Sequence, residues 1–123
     1  MTHGIRVRVE ACYLPEHSSV SEGRWTFSYT VTITNEGNSS ATLTSRHWVI
    51  TDGLGAVEHV RGPGVVGYQP ALAPGQSFSY TSGAILKCPS GLMQGHYTMC
   101  WPSGEYFEAE IAPFALATAE SVH

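Results

Sequence analysis

An alternation of apolar and hydroxyl-bearing side chains from Trp25 to Thr34 constrains the fold of this chain more than any other feature. The apolar positions are Trp25, Phe27, Tyr29, Val31 and Ile33, and a threonine or serine follows each of them. A period of two places the two sets on opposite faces of an extended backbone. Aromatic and β-branched residues also favour strands. The run therefore predicts a β-strand with one face on a core and the other in solvent.

Turn signals separate further strand-like runs along the chain. Asn-Glu-Gly-Asn at 35–38 and Asp-Gly at 52–53 are typical of turns and hairpins. The other predicted strands are Ile5–Val9, Ala41–Ile50, Val57–Arg61, Ser77–Ser82, Gly95–Trp101 and Glu105–Ile111. No apolar repeat at helical spacing extends over three turns. Seven or eight short strands with frequent turns predict an antiparallel all-β sandwich or barrel.

The length of 123 residues predicts one domain spanning 1–123. We expect an ordered core over 4–116 and a frayed tail over 117–123, because the C-terminal residues lack a strand pattern. Two connections are longer than usual, Leu14–Gly23 and Gly62–Gln76. Long loops between strands often carry binding residues, so both are candidate binding regions.

The chain is poor in charge. Lys and Arg number 6 and Asp and Glu number 10, so only 13% of the residues are charged, against about 25% in a typical domain. The basic residues are too few and too scattered to neutralise a row of phosphates, which argues against nucleic-acid binding. Between Gly62 and Gly104 only Lys87 carries a fixed charge. Because charge depletion with aromatic enrichment marks the centre of protein interfaces, this region is predicted to meet a partner.

A membrane span is not expected. The uncharged stretch Gly62–Leu86 is long enough to cross a bilayer, but its three prolines and several glycines could not satisfy the backbone in lipid as a helix. The N-terminal residues show no apolar signal region, and the three cysteines form no disulfide framework. We therefore expect a cytoplasmic protein.

The segment Gly62–Gly67 matches the pattern G-x-G-x-x-G. No predicted helix follows it and Pro63 removes a backbone donor, so a dinucleotide-binding fold is not expected. A glycine-rich loop can still bind a small anion through successive amides. Arg61, Gly62, Gly64 and Gly67 are the candidate residues for such a site. The alternative is that these glycines serve loop geometry and close packing.

Spacing motifs for metal binding and catalysis are absent from the sequence. There is no C-x-x-C or H-E-x-x-H, and His47, His59 and His96 could meet only through tertiary structure. Glu108 and Glu110 lie about 7 Å apart on one strand face, a spacing that glycosidases use. Their alternation with apolar residues is explained equally well by an exposed strand face. We predict no catalytic residues, metal or cofactor.

Arg46, His47 and Trp48 follow one another in the middle of a predicted strand. Two interpretations stay open: part of this set lies on an interaction surface, or Trp48 is a core residue covered by the stem of Arg46. With Tyr68 in the second long loop, these three residues form the candidate interaction surface.

Several segments resemble the ApaG family. They are YLPEHSS at Tyr13–Ser19, SRHWVITD at Ser45–Asp52, VRGPGVVGYQPALAPGQSFSYTSG at Val60–Gly83, GHYTM at Gly95–Met99 and FEAEIAPFAL at Phe107–Leu116. The resemblance covers about Ile5 to Leu116. It implies an immunoglobulin-like or fibronectin type III-like sandwich of seven to eight strands. ApaG domains also occur in F-box proteins and in a polymerase-delta-interacting protein, where they are taken as protein-interaction modules.

The resemblance also carries two functional associations. Bacterial members are associated by phenotype with cobalt and magnesium efflux, and the glycine motif has been linked to pyrophosphate or nucleotide binding. Our first hypothesis is therefore a non-enzymatic domain that binds an unidentified protein partner. The second is a small-anion binder for pyrophosphate or a nucleotide, and self-association is left open.

Overall fold

A computed structural model describes residues 3–118. It contains eight β-strands: β1 (Ile5–Tyr13), β2 (Trp25–Asn35), β3 (Ala41–Asp52), β4 (Val57–Pro63), β5 (Ala71–Leu72), β6 (Ser77–Leu86), β7 (Ser90–Cys100) and β8 (Tyr106–Ala117). Two short 3-10 turns, Pro15–His17 and Val20–Glu22, lie in the first long connection. The described residues contain no α-helix.

The strands form two antiparallel sheets packed as a sandwich. One sheet has the order β1-β2-β6, and the other has the order β4-β3-β7-β8, with β5 paired to the first residues of β3. β1 packs against β8, which closes one side of the sandwich. The prediction of an all-β, immunoglobulin-like antiparallel sandwich is confirmed.

β2 shows the predicted division into two faces. Its apolar side chains from Phe27 to Ile33 are buried in the core. On the other face, hydroxyls of β2 and β6 bond to each other across the strands at 2.8–2.9 Å. These pairs are Thr30 with Thr81, Thr32 with Ser79, and Thr34 with Ser77. We call this array the hydroxyl ladder.

The strand bounds differ from the prediction at the C-terminal end. β8 continues through Ala117, which pairs with Ser90, and Leu116 is fully buried. An extra residue in β8 between Ile111 and Phe114 shifts its register against β7, so the apolar alternation changes phase there. This phase change hides the strand from a period-two search. Ala117, expected in the frayed tail, is therefore a strand residue, and 119–123 lie outside the described residues.

Candidate functional site

A β-bulge in β3 decides which predicted site residues face the core. Leu43 pairs with Met99 and Ser45 pairs with Thr98, so Thr44 is the extra residue. The bulge changes the phase of the strand. After it, Arg46 and Trp48 point into the sandwich and His47 points out from it. The inward positions are therefore 41 and 43 before the bulge but 46 and 48 after it, which explains why Arg46, His47 and Trp48 do not follow the earlier alternation.

Trp48 is a core residue. It is 2% exposed, and its ring lies 5.3 Å from that of Tyr29 and 5.8 Å from that of Phe114. The core interpretation therefore holds for Trp48, whose side chain is inaccessible to a partner. Its buried indole N–H has no hydrogen-bond partner among the described residues.

A tyrosine pair lies in the same part of the core. The hydroxyls of Tyr80 on β6 and Tyr97 on β7 hydrogen-bond to each other across the sandwich. Burial raises the pKa of Tyr80 to about 12, and burial is also the main cause that raises the pKa of Tyr97. Both side chains are therefore neutral and join the two sheets by a buried hydrogen bond.

Arg46 connects β3 to the glycine-rich loop. Its guanidinium lies against Gly62, where an added Cβ would be 3.0 Å from Nη1 and Nη2. Nη1 donates to the carbonyls of Pro63 at 3.0 Å and Gly64 at 2.9 Å. Arg46 therefore holds the loop by hydrogen bonds to its backbone.

The loop itself is a tight turn. Val65 and Tyr68 exchange two backbone hydrogen bonds of 2.8 and 2.9 Å, and the Gly64 amide donates to Thr44. Gly64 has a φ of +59°, and a Cβ there would lie 2.2 Å from the carbonyl oxygen of Tyr68. Gly67 has a φ of +85°. The geometry of the loop thus requires glycine at both positions.

The candidate anion-binding residues lie in two places. Gly62 is the last residue but one of β4, and Gly64 and Gly67 lie in the loop that follows. Arg61 precedes Gly62 in β4, so its side chain lies on the outer face of the strand. The amides of Gly64 and Val65 already donate to carbonyls of the protein. The structure brings the three glycines together and directs the Arg61 side chain to the other face.

The outer face of the larger sheet carries a line of histidines, which we call the histidine row. His47 Nε2 lies 3.0 Å from His59 Nδ1. The rings of His47 and His96 lie 5.2 Å apart, edge to face, and His96 Nε2 lies 3.2 Å from an oxygen of Glu108. Four neighbouring strands contribute one side chain each. Sequence spacing missed the row because only the pairing of the strands brings these residues together.

His47 lies at the centre of the histidine row. Burial is the main cause that lowers the pKa of His47, and the nearby Arg61, His96 and His59 lower it further, while Glu108 opposes them. His47 is therefore held in its neutral form more strongly than in an unfolded chain. Within residues 3–118, no three His, Cys, Asp or Glu side chains are placed to hold a metal ion.

The glycine-rich loop presents apolar side chains to solvent. Val65 is fully buried and anchors the loop, while Val66 is 51% exposed and Tyr68 is 61% exposed. The Tyr68 ring lies 5.9 Å from the ring of Phe78 on β6. The loop therefore holds Tyr68 at the edge of the smaller sheet.

The side of the sandwich between β4 and β6 is covered by the glycine-rich loop at the Phe78 end of β6, and no strand of residues 3–118 covers the rest of it. The smaller sheet has three strands and the larger sheet has four along its main path. Since β1 packs on β8 and Tyr80 of β6 contacts Tyr97 of β7, β4 extends beyond β6. No residue of β4 is buried. We call this strip, beside β6 and over the inner face of β4, the open side.

A groove of about 190 Å³ marks one end of the open side. Its lining residues come from the ends of β3 and β6 and from the start of β4: Ile50, Asp52, Ala56, Val57, Glu58, Leu86 and Lys87.

In residues 3–118, no helix is long and apolar enough to span a membrane.

Comparisons with known proteins agree on one family. The family model of the ApaG domain matches residues 15–101. Protein ApaG of Bradyrhizobium sp. strain BTAi1 is 54% identical over 116 residues, covering 94% of this chain and 88% of the relative. Protein ApaG of Methylorubrum populi is 56% identical over 115 residues, with 94% and 88% covered. A crystal structure titled as the putative ApaA protein of Bordetella pertussis matches with a TM-score of 0.91 and 50% identity, covering 94% of each chain. The chain belongs to the ApaG domain family.

Proposed function

We propose that this protein is a non-enzymatic protein-interaction module that binds a partner through the glycine-rich loop and the open side. The observation that carries the proposal is the exposure of Val66 and Tyr68 on a loop held by Arg46. An exposed aromatic on a rigid support loses little entropy on binding, which is a property of interface anchors.

Charge distribution supports the same face. From Gly62 to Gly104 only Lys87 carries a fixed charge, and the loop and β6 both lie within this region. Interface centres are depleted of charge because an unpaired charge is costly to desolvate. We place this activity in the cytoplasm. On this proposal, the efflux of cobalt and magnesium associated with the family depends on the partner rather than on transport by the domain.

Site-specific photo-crosslinking tests the proposal. The photoreactive residue p-benzoylphenylalanine replaces Tyr68 in one variant and Tyr106, which is 68% exposed on β8, in the control. We expect irradiation of cells of the source organism to give a discrete crosslinked protein for the Tyr68 variant and none for the Tyr106 variant. Absence of a crosslink at Tyr68, or the same products at both positions, contradicts the proposal.

Binding of a small anion is the second candidate function. The sequence predicts this site at Arg61, Gly62, Gly64 and Gly67. Because Arg61 lies on the outer face beside His47 and His59, and acts electrostatically on His47, we move the proposed site from the glycines to these three side chains. We propose pyrophosphate or a nucleotide phosphate as the ligand. At 100 times its Kd, a ligand adds about 2.7 kcal/mol to the free energy of unfolding. A thermal-shift panel of pyrophosphate, nucleotides, Mg²⁺ and Co²⁺ tests this, and a flat response at millimolar concentrations contradicts it.

A further inference from the structure

We infer that the open side accepts an extended segment of a partner protein, which adds to the smaller sheet as a fourth strand beside β6. The inference rests on the proposed interaction function and names its binding mode. Main-chain hydrogen bonds to a free sheet edge supply affinity in such complexes, and alternate side chains supply specificity.

β6 differs from the other edge strands. Natural proteins protect exposed edges with charged residues or proline, which discourage a further strand from pairing. β1, β4 and β8 each carry such residues: Arg6, Arg8 and Glu10 on β1, Glu58, Arg61 and Pro63 on β4, and Glu108, Glu110 and Pro113 on β8. β6 has the sequence SFSYTSGAIL, with neither a charge nor a proline in ten residues. Its free edge is therefore open to strand addition.

Beyond the contact of Phe78 with Tyr68, β6 has no strand neighbour on this edge among residues 3–118. β4 is the edge strand of the larger sheet on this side, and none of its residues is fully buried, although Val60 packs partly against the core. A strand added beside β6 would lie over β4 and make the sandwich four strands over four. Its inward side chains would contact Val60 of β4 and would fill the groove between Ile50 and Leu86.

A second copy of this chain does not fit as the occupant. If two β6 strands paired about a two-fold axis, each smaller sheet would continue into the other. The β4 strand of each copy would then occupy the same space as β3 of the other, because β4 extends one strand beyond β6. A single extended segment has no second sheet attached beneath it. The width of the larger sheet therefore selects a segment over a dimer.

The surroundings indicate the chemistry of the segment. Inward positions face the apolar side chains of Val60, Ile50 and Leu86, so apolar residues are expected at alternate positions. Asp52, Glu58 and Lys87 also line the groove, so a polar residue is expected at its end. Outward positions continue the hydroxyl ladder of Ser77, Ser79 and Thr81, so serine or threonine is expected between them. The partner segment thus has the same alternation as β2.

Peptide selection on the full chain tests the inference. The probe is a phage-displayed library of random dodecapeptides, selected on the wild type and depleted on Ser82→Lys. Ser82 faces inward at the middle of β6 and is half-buried. A lysine there can extend into the empty open side, but an added strand would bury its charge. We expect enriched peptides with the apolar and hydroxyl alternation, and a Kd weakened by about tenfold or more in Ser82→Lys.

Ser82→Ala is the matched control. It changes the same half-buried side chain without adding a charge. We expect its Kd to stay within about twofold of the wild-type value, because an added strand would have no charge to bury. Val60→Lys places a charge on the opposite wall of the open side, and it replaces Ser82→Lys as the test variant if Ser82→Lys fails to fold.

Amide hydrogen exchange identifies where the peptide binds. We expect the bound peptide to slow exchange in β6. The inference is overturned if no peptide is enriched, or if Ser82→Lys and Val60→Lys both bind the peptide as tightly as the wild type does. It is also overturned if protection is confined to the strands of the histidine row. Sedimentation that shows a dimer disrupted by Ser82→Lys overturns the assigned occupant.

Crosslinking at Tyr68 separates this inference from the proposed interaction function. If the Tyr68 crosslink persists in Ser82→Lys, the interaction function stands and strand addition is rejected. If the crosslink is absent but peptides bind β6, the loop surface is rejected.

Discussion

Gly95 shows how a single hydrogen atom decides packing in this sheet. It pairs with Trp48 on β3, and an added Cβ would lie 2.0 Å from the carbonyl oxygen of His47. The three nearest atoms all belong to the backbone of His47 and Trp48, which cannot move aside as a flexible side chain would. The sequence marks this glycine only as a strand boundary, because no spacing rule reports how closely two strands approach.

Gly95→Ala is expected to lower the free energy of unfolding by about 1–3 kcal/mol or more, as forced overpacking does. Gly83→Ala is the control, since its Cβ would make an ordinary contact of 3.4 Å. We expect the control to lie within about 0.5 kcal/mol of the wild type. Urea denaturation measures both, and equal effects would contradict the close approach at Gly95.

His47 gives the fold a dependence on pH. Its pKa is lowered from the ordinary 6.5, mainly by burial. As the pH falls below 6.5, the unfolded chain takes up a proton before the folded protein does, so the free energy of unfolding declines. The loss continues until the pH is below the folded pKa. The contribution of His47 to the free energy of unfolding is therefore greatest above pH 6.5.

Thermal melts between pH 5 and 8 test this dependence. We expect His47→Gln to show a shallower decline in melting temperature towards low pH than the wild type. His17→Gln changes an exposed histidine outside the histidine row and should keep the wild-type slope. An unchanged slope in His47→Gln would show that other groups cause the decline.

At the scale of elements, the period of two predicted β2 because one buried face and one hydroxyl face continue without a break for ten residues. The same rule missed the last residues of β8 and the sorting of Arg46, His47 and Trp48, because a bulge changes the phase of each strand. A bulge depends on the partner strand, which local sequence does not report. The histidine row was missed for the same reason.

Arg46 connects two elements, and its removal should release the loop. Arg46→Ala deletes the donors to Pro63 and Gly64, and hydrogen bonds from a charged donor contribute about 1.5–3 kcal/mol. We expect faster amide exchange for residues 64–68 with little change in β1. Arg24→Ala, which removes an exposed ion pair, is the control. Uniformly faster exchange over all strands would contradict a local role.

At the scale of the whole molecule, residues 3–118 share one hydrophobic core and contain no disulfide. Cys12 is exposed, Cys88 is buried and Cys100 is half-buried, and all three are free. We expect tryptophan fluorescence and far-ultraviolet circular dichroism to report the same urea midpoint, as for a two-state domain. Dithiothreitol should leave that midpoint unchanged. A shift on reduction, or two separate midpoints, would contradict a single cooperative core.

The bulge at Thr44 has a consequence for how chain length can vary in the family. Deleting Thr44 would remove the bulge and leave Leu43, Arg46 and Trp48 facing inward in an unbroken ladder with β7, whereas deleting His47 would move Trp48 to the outside of the sandwich. A deletion of one residue in the turn at Gly53–Gly55 would leave every core contact in phase. We therefore expect the turn to tolerate insertions and deletions, the bulge to tolerate the loss of its one extra residue, and residues 46–48 to keep a constant length wherever the indole is buried.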